Sequence, residues 1–386
     1  MSYRQQQHPK VIDAVQVTVL TNLVPPYRLD AYNALHGLAY KVGGRLTVIC
    51  TNRTEPQRNW AKTSGDFTHQ TLDGLVLPLG ENRTFSIPIG TKNALHRATP
   101  DALILNGFGI AQWQAARCAH IRNIPTILQF DGWIGSDQTY ANTVRKYIRH
   151  QMIAKADGFV AASSRGKEWF QQFGATETDI SVAPIPTSFP PPRVLKSFAD
   201  RAYDLTWCGR TTKAKGLGIF LKIAADLKKR GTIKRIAIIG CTDLEQAQSD
   251  LSASGLSDAA DLHPQLSPIE VPEFLSNSKL CLFPSRNDAY GVGVIEAIAC
   301  GTVALASPLV GCAPDVLDRS EIIDISSFED WVTASQALLR NQILWQRTQQ
   351  SQANNIKNNT ANHQARTLWE ALQQASYETT RVRRWS

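Results

Sequence analysis

Short, continuous apolar runs recur along the chain, each followed by a loop rich in glycine, asparagine or aspartate and separated from the next by a segment of helical length. Residues 15–23, 45–51, 101–106, 125–130 and 158–163 form a first series, and residues 203–208, 235–240 and 279–283 a second. Runs without polar alternation are what strands buried on both faces require, and helix-length connections let such strands lie parallel. The pattern therefore predicts an α/β chain with parallel sheets. In sheets of this kind ligands gather where the strands end, so the loops after each run are the places to look for chemistry.

A chain of 386 residues with 43% hydrophobic side chains can bury two cores. The division falls naturally in residues 182–192, which hold five prolines between two apolar, periodic regions. We expect an N-terminal domain over residues 1–185, a proline-rich linker over 186–202 and a second domain over 203–345. Residues 346–386 would be helical, since Trp369 and Leu372 continue the apolar spacing of Trp331, Leu338, Leu339, Leu344 and Trp345. Internal repeats are not apparent.

With 41 basic against 33 acidic side chains, the formal charge is +8, which suits nucleic acid, an anionic membrane surface or phosphorylated ligands. The aromatics do not interleave with the basic residues as stacking platforms would, so nucleic acid is not expected. Residues 139–156 read as a basic amphipathic helix, with Arg145, Lys146, Arg149 and Lys155 beside Val144, Tyr147, Ile148 and Met152. Two readings stay open there: a solvated face over a core, or peripheral contact with an anionic membrane. No membrane span is expected, because Gly301, Pro308 and Gly311 interrupt the one long apolar region. The 7 cysteines are scattered, with no C-x-x-C. That leaves neither a disulfide framework nor a structural zinc site, and fits a reducing cytoplasm.

Two loops of the second half carry candidate chemistry. Residues 284–301 read as a strand end, a glycine-interrupted loop and a helix beginning near Gly291 to Gly293 and stopping at Gly301. Glycine lets backbone approach a ligand, and a helix start offers free amides to an anion. Asp288 and Glu296 flank this loop and can accept hydrogen bonds from hydroxyls. Tyr290, Val292 and Gly293 lie between them. Upstream, the strand 203–208 opens into Gly209-Arg210-Thr211-Thr212-Lys213-Ala214-Lys215-Gly216, whose Arg210 and Lys215 can hold the negative charge of a diphosphate. Without a partner, either loop reads equally as a turn, a helix-dipole acid or a solvated basic surface.

Taken together, the loops resemble the retaining glycosyltransferases of family 4 (group 1). Their pattern is Gly-Arg, four variable residues and Lys-Gly, met here at Gly209, Arg210, Lys215 and Gly216. It continues with an acid-x(7)-acid signature, here Asp288 and Glu296, and a Glu-Ala-small-Ala-Cys-Gly run, here Glu296 to Gly301. The first acid is Asp where the family usually has Glu. The resemblance implies the GT-B fold, with two Rossmann-like domains facing each other across a cleft, and a nucleotide-diphosphate sugar as co-substrate with no further cofactor. It implies that Arg210 and Lys215 neutralise the diphosphate, Glu296 holds ribose hydroxyls and Asp288 the hydroxyls of the transferred sugar. His263 would lie near the nucleotide base, and the C-terminal helix would cross back to the first domain. The leaving phosphate oxygen would take the acceptor proton. No Asp-x-Asp pair is present, so no metal is expected.

In the first half the resemblance is looser. The glycine pair usual after the first strand is replaced by Pro25 and Pro26, and the usual histidine is absent, so no side-chain base is assigned. Asn106, Asp131, Trp133 and Arg28 are the acceptor-side candidates. Asp131 would accept hydrogen bonds, Trp133 would be an apolar plate for a sugar ring, and Arg28 would reach a phosphate. Each has a structural alternative in a turn, a core or a solvated helix start. The acceptor would be a glycan, a lipid-linked sugar or a small molecule. Two other functions fit the same architecture: a sugar-nucleotide epimerase, and a non-catalytic nucleotide-sugar-binding protein.

Overall fold

The computed structural model describes residues 15–52, 64–78, 84–138 and 142–383. Its first half is built on β1 (Gln16–Thr21), β2 (Arg45–Cys50), β3 (Thr68–Thr71), the antiparallel hairpin β4 (Asp73–Pro78) and β5 (Thr84–Ile89), β6 (Ala102–Asn106), β7 (Thr126–Phe130), β8 (Gly158–Ala161) and β9 (Ile180–Val182). All but the hairpin pair in parallel, in the order β3-β2-β1-β6-β7-β8-β9. The second half holds β10 (Tyr203–Cys208), β11 (Ile236–Cys241), β12 (Ala260–Pro264), β13 (Ser278–Phe283) and β14 (Val303–Ala306), parallel in the order β12-β11-β10-β13-β14. In both sheets the order reverses beside the first strand, which opens a crevice at the strand ends between β1 and β6 and again between β10 and β13. The apolar runs that predicted strands are strands, buried as expected. The hairpin was not foreseen.

Local chemistry moved some boundaries. The first helix begins at Pro26 and runs to Lys41, whereas the two prolines suggested an extended turn with the helix starting near Leu29. A proline at the first helical position loses no hydrogen bond and arrives with a helical φ, so Pro25-Pro26 starts the helix instead of delaying it. His263 lies in the edge strand β12.

Each half has its own apolar core, but the chain does not respect the division at its C-terminal end. The helix Ala361–Arg383 places Ala365, Leu368, Ala371, Leu372 and Ala375 in the core of the first half, beside Val17, Tyr32 and Leu35. The linker joins a third cluster, in which Ile185 and Phe189 pack with Phe283, Tyr290 and Val294 of the second half.

Of the basic amphipathic segment, residues 139–141 lie outside the described residues, and the remainder forms the helix Thr143–Ile153. Arg149 turns inward rather than to solvent. It pairs with Asp137, to which the Trp169 indole N–H also donates at 3.1 Å. Val144 and Tyr147 stay exposed. Among the described residues no helix is long and apolar enough to cross a membrane.

Candidate active site

The two motif loops leave neighbouring strands. β10 and β13 pair with Leu205 opposite Leu280 and Thr206 opposite Cys281, so the segments following Cys208 and Phe283 emerge side by side at the crevice. Backbone contacts then join them. The Ala214 carbonyl accepts the amides of Arg286 at 2.7 Å and Asn287 at 3.4 Å. Gly216, at φ +74°, lies so close that an added Cβ would stand 2.0 Å from the Pro284 carbonyl oxygen. Only glycine serves there, on both conformational and steric grounds.

This zipping brings the cation to the acid. Lys215 Nζ donates to Asp288 Oδ2 at 2.5 Å, with side-chain exposures of 24% and 17%. Arg210 begins the same loop and its carbonyl accepts the Thr212 amide at 2.7 Å. After Asp288 the chain turns through Gly291 into the helix Val292–Ala299. Its first-turn amides, those of Val292 and Gly293, therefore follow directly on the acidic loop.

Glu296 lies on the inner face of this helix and is 9% exposed. Its Oε1 accepts the hydroxyl of Ser188, and the Ser188 amide at 3.3 Å. Burial pushes its carboxyl above the usual carboxylate range, and the two Ser188 bonds oppose that rise. The Cys208 thiol, pushed up to about 12 by burial, feels both the Glu296 carboxylate and the Lys215 ammonium. Both motif charges therefore reach the end of β10.

Other candidates hold different positions from those anticipated. Tyr290 is 4% exposed, and its hydroxyl oxygen accepts the Ile185 amide at 3.1 Å and Asn359 Nδ2 at 2.8 Å. Its hydroxyl is a post tying the loop to the linker and the C-terminal region. His263 packs its ring on Phe274 at 4.3 Å. Arg28 does not reach for a phosphate: it is 1% exposed and pairs with Asp131, while Gln364 Oε1 accepts from Arg28 Nη1 at 3.4 Å. A guanidinium this deep needs a carboxylate near it, and Asp131 supplies one. Trp133 is not an open plate either. The Arg165 guanidinium covers its ring at 4.5 Å, and its indole N–H donates to the Asp288 carbonyl at 3.0 Å.

The remaining acceptor-side candidate belongs to a polar network at the strand ends of the first half. Asn106 Nδ2 donates to Gln129 Oε1 at 3.3 Å, and Gln112 Nε2 donates to the Asn106 carbonyl at 3.2 Å and to Asn22 Oδ1 at 3.3 Å. Asn22 and Gln112 were not anticipated, although Asn22, an amide side chain just past an apolar strand, was a readable signal. Ser188 and Arg165 had none, because their partners lie 108 and 143 positions away. None of the motif residues lines the cavity of about 560 Å³ that opens beside Thr91, Trp113 and Arg117.

Two family models divide the chain between them. Glycosyltransferase Family 4 matches residues 31–187 and Glycosyl transferases group 1 matches residues 196–362. The chain belongs to the group 1, family 4 glycosyltransferases. Among solved structures, the chain is similar to Anabaena HepE in complex with UDP, with a TM-score of 0.69 at 12% identity over 92% of this chain and 99% of that one. It is also similar to the lipopolysaccharide outer core galactosyltransferase WaaB, with a TM-score of 0.64 at 16% identity over 92% of this chain and 98% of that one. At such identities the likeness shows the fold, the GT-B architecture. Its curated relatives include the D-inositol 3-phosphate glycosyltransferase of Rhodococcus jostii, 26% identical over 214 residues, or 50% of this chain and 47% of that protein. The counterpart from an Arthrobacter species is 26% identical over 144 residues, 35% of this chain and 34% of that protein. The matches thus span half or less of the length of these two relatives.

Proposed function

We propose that the protein is a retaining glycosyltransferase that moves a sugar from a nucleotide-diphosphate sugar to an acceptor hydroxyl. The observation that carries this reading is the contact of Lys215 with Asp288 across two loops that leave adjacent strands at the sheet crevice. A diphosphate set against Lys215, Arg210 and the helix start at Val292 meets fixed positive charge where the leaving group gains negative charge. Lys215 exchanges Asp288 for a phosphate oxygen, and Asp288 is then released to accept from sugar hydroxyls. Glu296, held by Ser188, accepts from the ribose. The bond from the anomeric carbon to the leaving phosphate oxygen breaks, the acceptor oxygen bonds on the same face, and its proton passes to the leaving phosphate. His263 stands on the side of the nucleotide base, and Asn106 and Asp131 face the acceptor, which is a glycan, a lipid-linked sugar or a small molecule. No cofactor takes part, because the two cations carry the leaving-group charge.

Support for a uridine donor comes from HepE, whose structures include complexes with UDP and with UDP-glucose. The test is to incubate purified protein with labelled UDP-, GDP- and ADP-sugars and cell extract, and to determine the anomeric configuration of any product. Transfer with retained configuration is expected. Release of an altered free sugar would transfer the argument to an epimerase, and nucleotide binding without turnover to a binding protein.

A further inference from the structure

Asp288 is held both from its own half and from the other. Its amide donates to the Leu309 carbonyl at 3.0 Å, and its carbonyl accepts the Gly311 amide at 3.2 Å. The same carbonyl takes the Trp133 indole N–H at 3.0 Å, from a residue 155 positions earlier in the first half. The loop that flanks Asp288 is gripped in the same way. Arg165 Nη1 donates to the Pro308 carbonyl at 2.5 Å and to the Val310 carbonyl at 3.4 Å. Asp288 and Val310 form a parallel bridge, so holding Val310 holds Asp288. Arg165 also lies over the Trp133 ring at 4.5 Å, joining both grips. Beside it, the Ser164 amide at the start of the helix Ser164–Gln172 donates to Asp315 Oδ2 at 2.9 Å, a carboxylate at the favourable end of a helix.

We propose that Trp133 and Arg165 are positioning residues, a latch through which the first half sets the backbone of Asp288 when the two halves close. The bonds are directional and polar, N–H to carbonyl and cation to ring, which can part and re-form as domains of this kind move. The diphosphate cations, Arg210 and Lys215, both belong to the second half. Closure then separates two tasks: the nucleotide diphosphate is gripped by one half alone, while the acid for the sugar is set only when both halves meet. The assignment of Asp288 to the sugar rests on the function proposed above, whereas the latch itself is a statement about backbone order.

Two measurements on the full chain separate these points. Hydrogen exchange of the unliganded protein reads the latch. Trp133→Phe keeps the ring and removes its N–H, and Arg165→Met removes the carbonyl grip. Each is expected to speed amide exchange in residues 284–291 and 308–315 by about five- to tenfold, the effect of losing one hydrogen bond. Arg165→Lys, which keeps one donor, should fall between Arg165→Met and the parent. If Trp133→Phe fails to fold, the Arg165 pair still decides. Unchanged exchange at residues 284–291 in Arg165→Met overturns the latch. The second measurement is binding of UDP and turnover of the nucleotide sugar found to be the donor. UDP affinity should stay within about twofold, because both substitutions leave the Lys215 side chain and the Val292 helix start in place. Turnover should fall by about tenfold or more. Equal losses of UDP affinity and turnover would overturn the division of tasks. If the parent binds no UDP, a uridine donor is at fault, and the exchange result still stands.

Discussion

Both faces of the cleft present an aspartate joined to a cation, and the two pairs differ in burial. In the first half Asp131, 27% exposed, meets Arg28, whose side chain is only 1% exposed, so the difference lies in the cation. In the second, Asp288 meets Lys215, and both remain partly open, at 17% and 24%. A guanidinium enclosed on all sides meets only protein groups, Asp131 and Gln364, so Arg28 fixes Asp131 in place. An ammonium at the surface of a loop has water and ligand within reach and can trade partners. The comparison teaches that one pair is a fixture of the fold and the other a reservoir of charge for an incoming anion.

The largest effect should come from breaking the fixture. Asp131→Ala strands a buried cation, and a loss of about 3–5 kcal/mol in folding stability is expected, read by urea unfolding. Adding Arg28→Met should restore most of it. If Asp131→Ala is as stable as the parent, the two pairs do not differ as described. Next comes Lys215→Ala, which should leave unfolding nearly untouched yet reduce turnover by about a hundred- to a thousandfold, the range for removing one group that stabilises developing charge. A donor assay showing unchanged turnover would remove Lys215 from the phosphate site.

The smallest effect sharpens the contrast within the second half. Glu296→Gln keeps the shape but gives up the charge, and donor affinity should fall by the ~1.5–3 kcal/mol of a hydrogen bond to a charged group. Burial raises the Glu296 carboxyl above its ordinary 4.5. Its stabilising contribution is therefore complete below that value and is lost as pH rises through the raised one. At neutral pH the glutamine variant should melt no lower than the parent, while the acid limb of donor binding in the parent should lie above pH 4.5 and vanish in the variant. A melting temperature that drops at neutral pH would contradict the sign of this shift.

The same contrast explains what was legible beforehand. The second-half site could be read because its parts are local: Gly209, Arg210, Lys215 and Gly216 share one loop, Asp288 and Glu296 another, and parallel pairing of two apolar runs puts the loops together. The parallel α/β sheets were readable for a similar reason, since continuous apolar strands with long connections leave few alternatives, while the GT-B arrangement followed from the resemblance carried by the two loops. In the first half, spacing gave the strand ends but not the partners. Arg28 finds Asp131 across 103 positions and Gln364 across 336, and no periodicity records such a meeting. Trp133 was read as a plate because its ring is apolar, whereas its N–H and the cation above it decide its role. Glu296 was placed correctly on its helix, but Ser188, which holds it, lies in a proline-rich stretch that looked like mere connection.

Residues 359–364 touch both faces of the cleft. Asn359 Nδ2 donates to the Tyr290 hydroxyl and to the Ile185 carbonyl, and Gln364 meets Arg28 and donates to the carbonyls of Ala183 and Pro184. The helix that follows completes the core of the first half. As the ribosome makes this chain, the half that emerges first must wait for nearly everything behind it before its interior can be sealed.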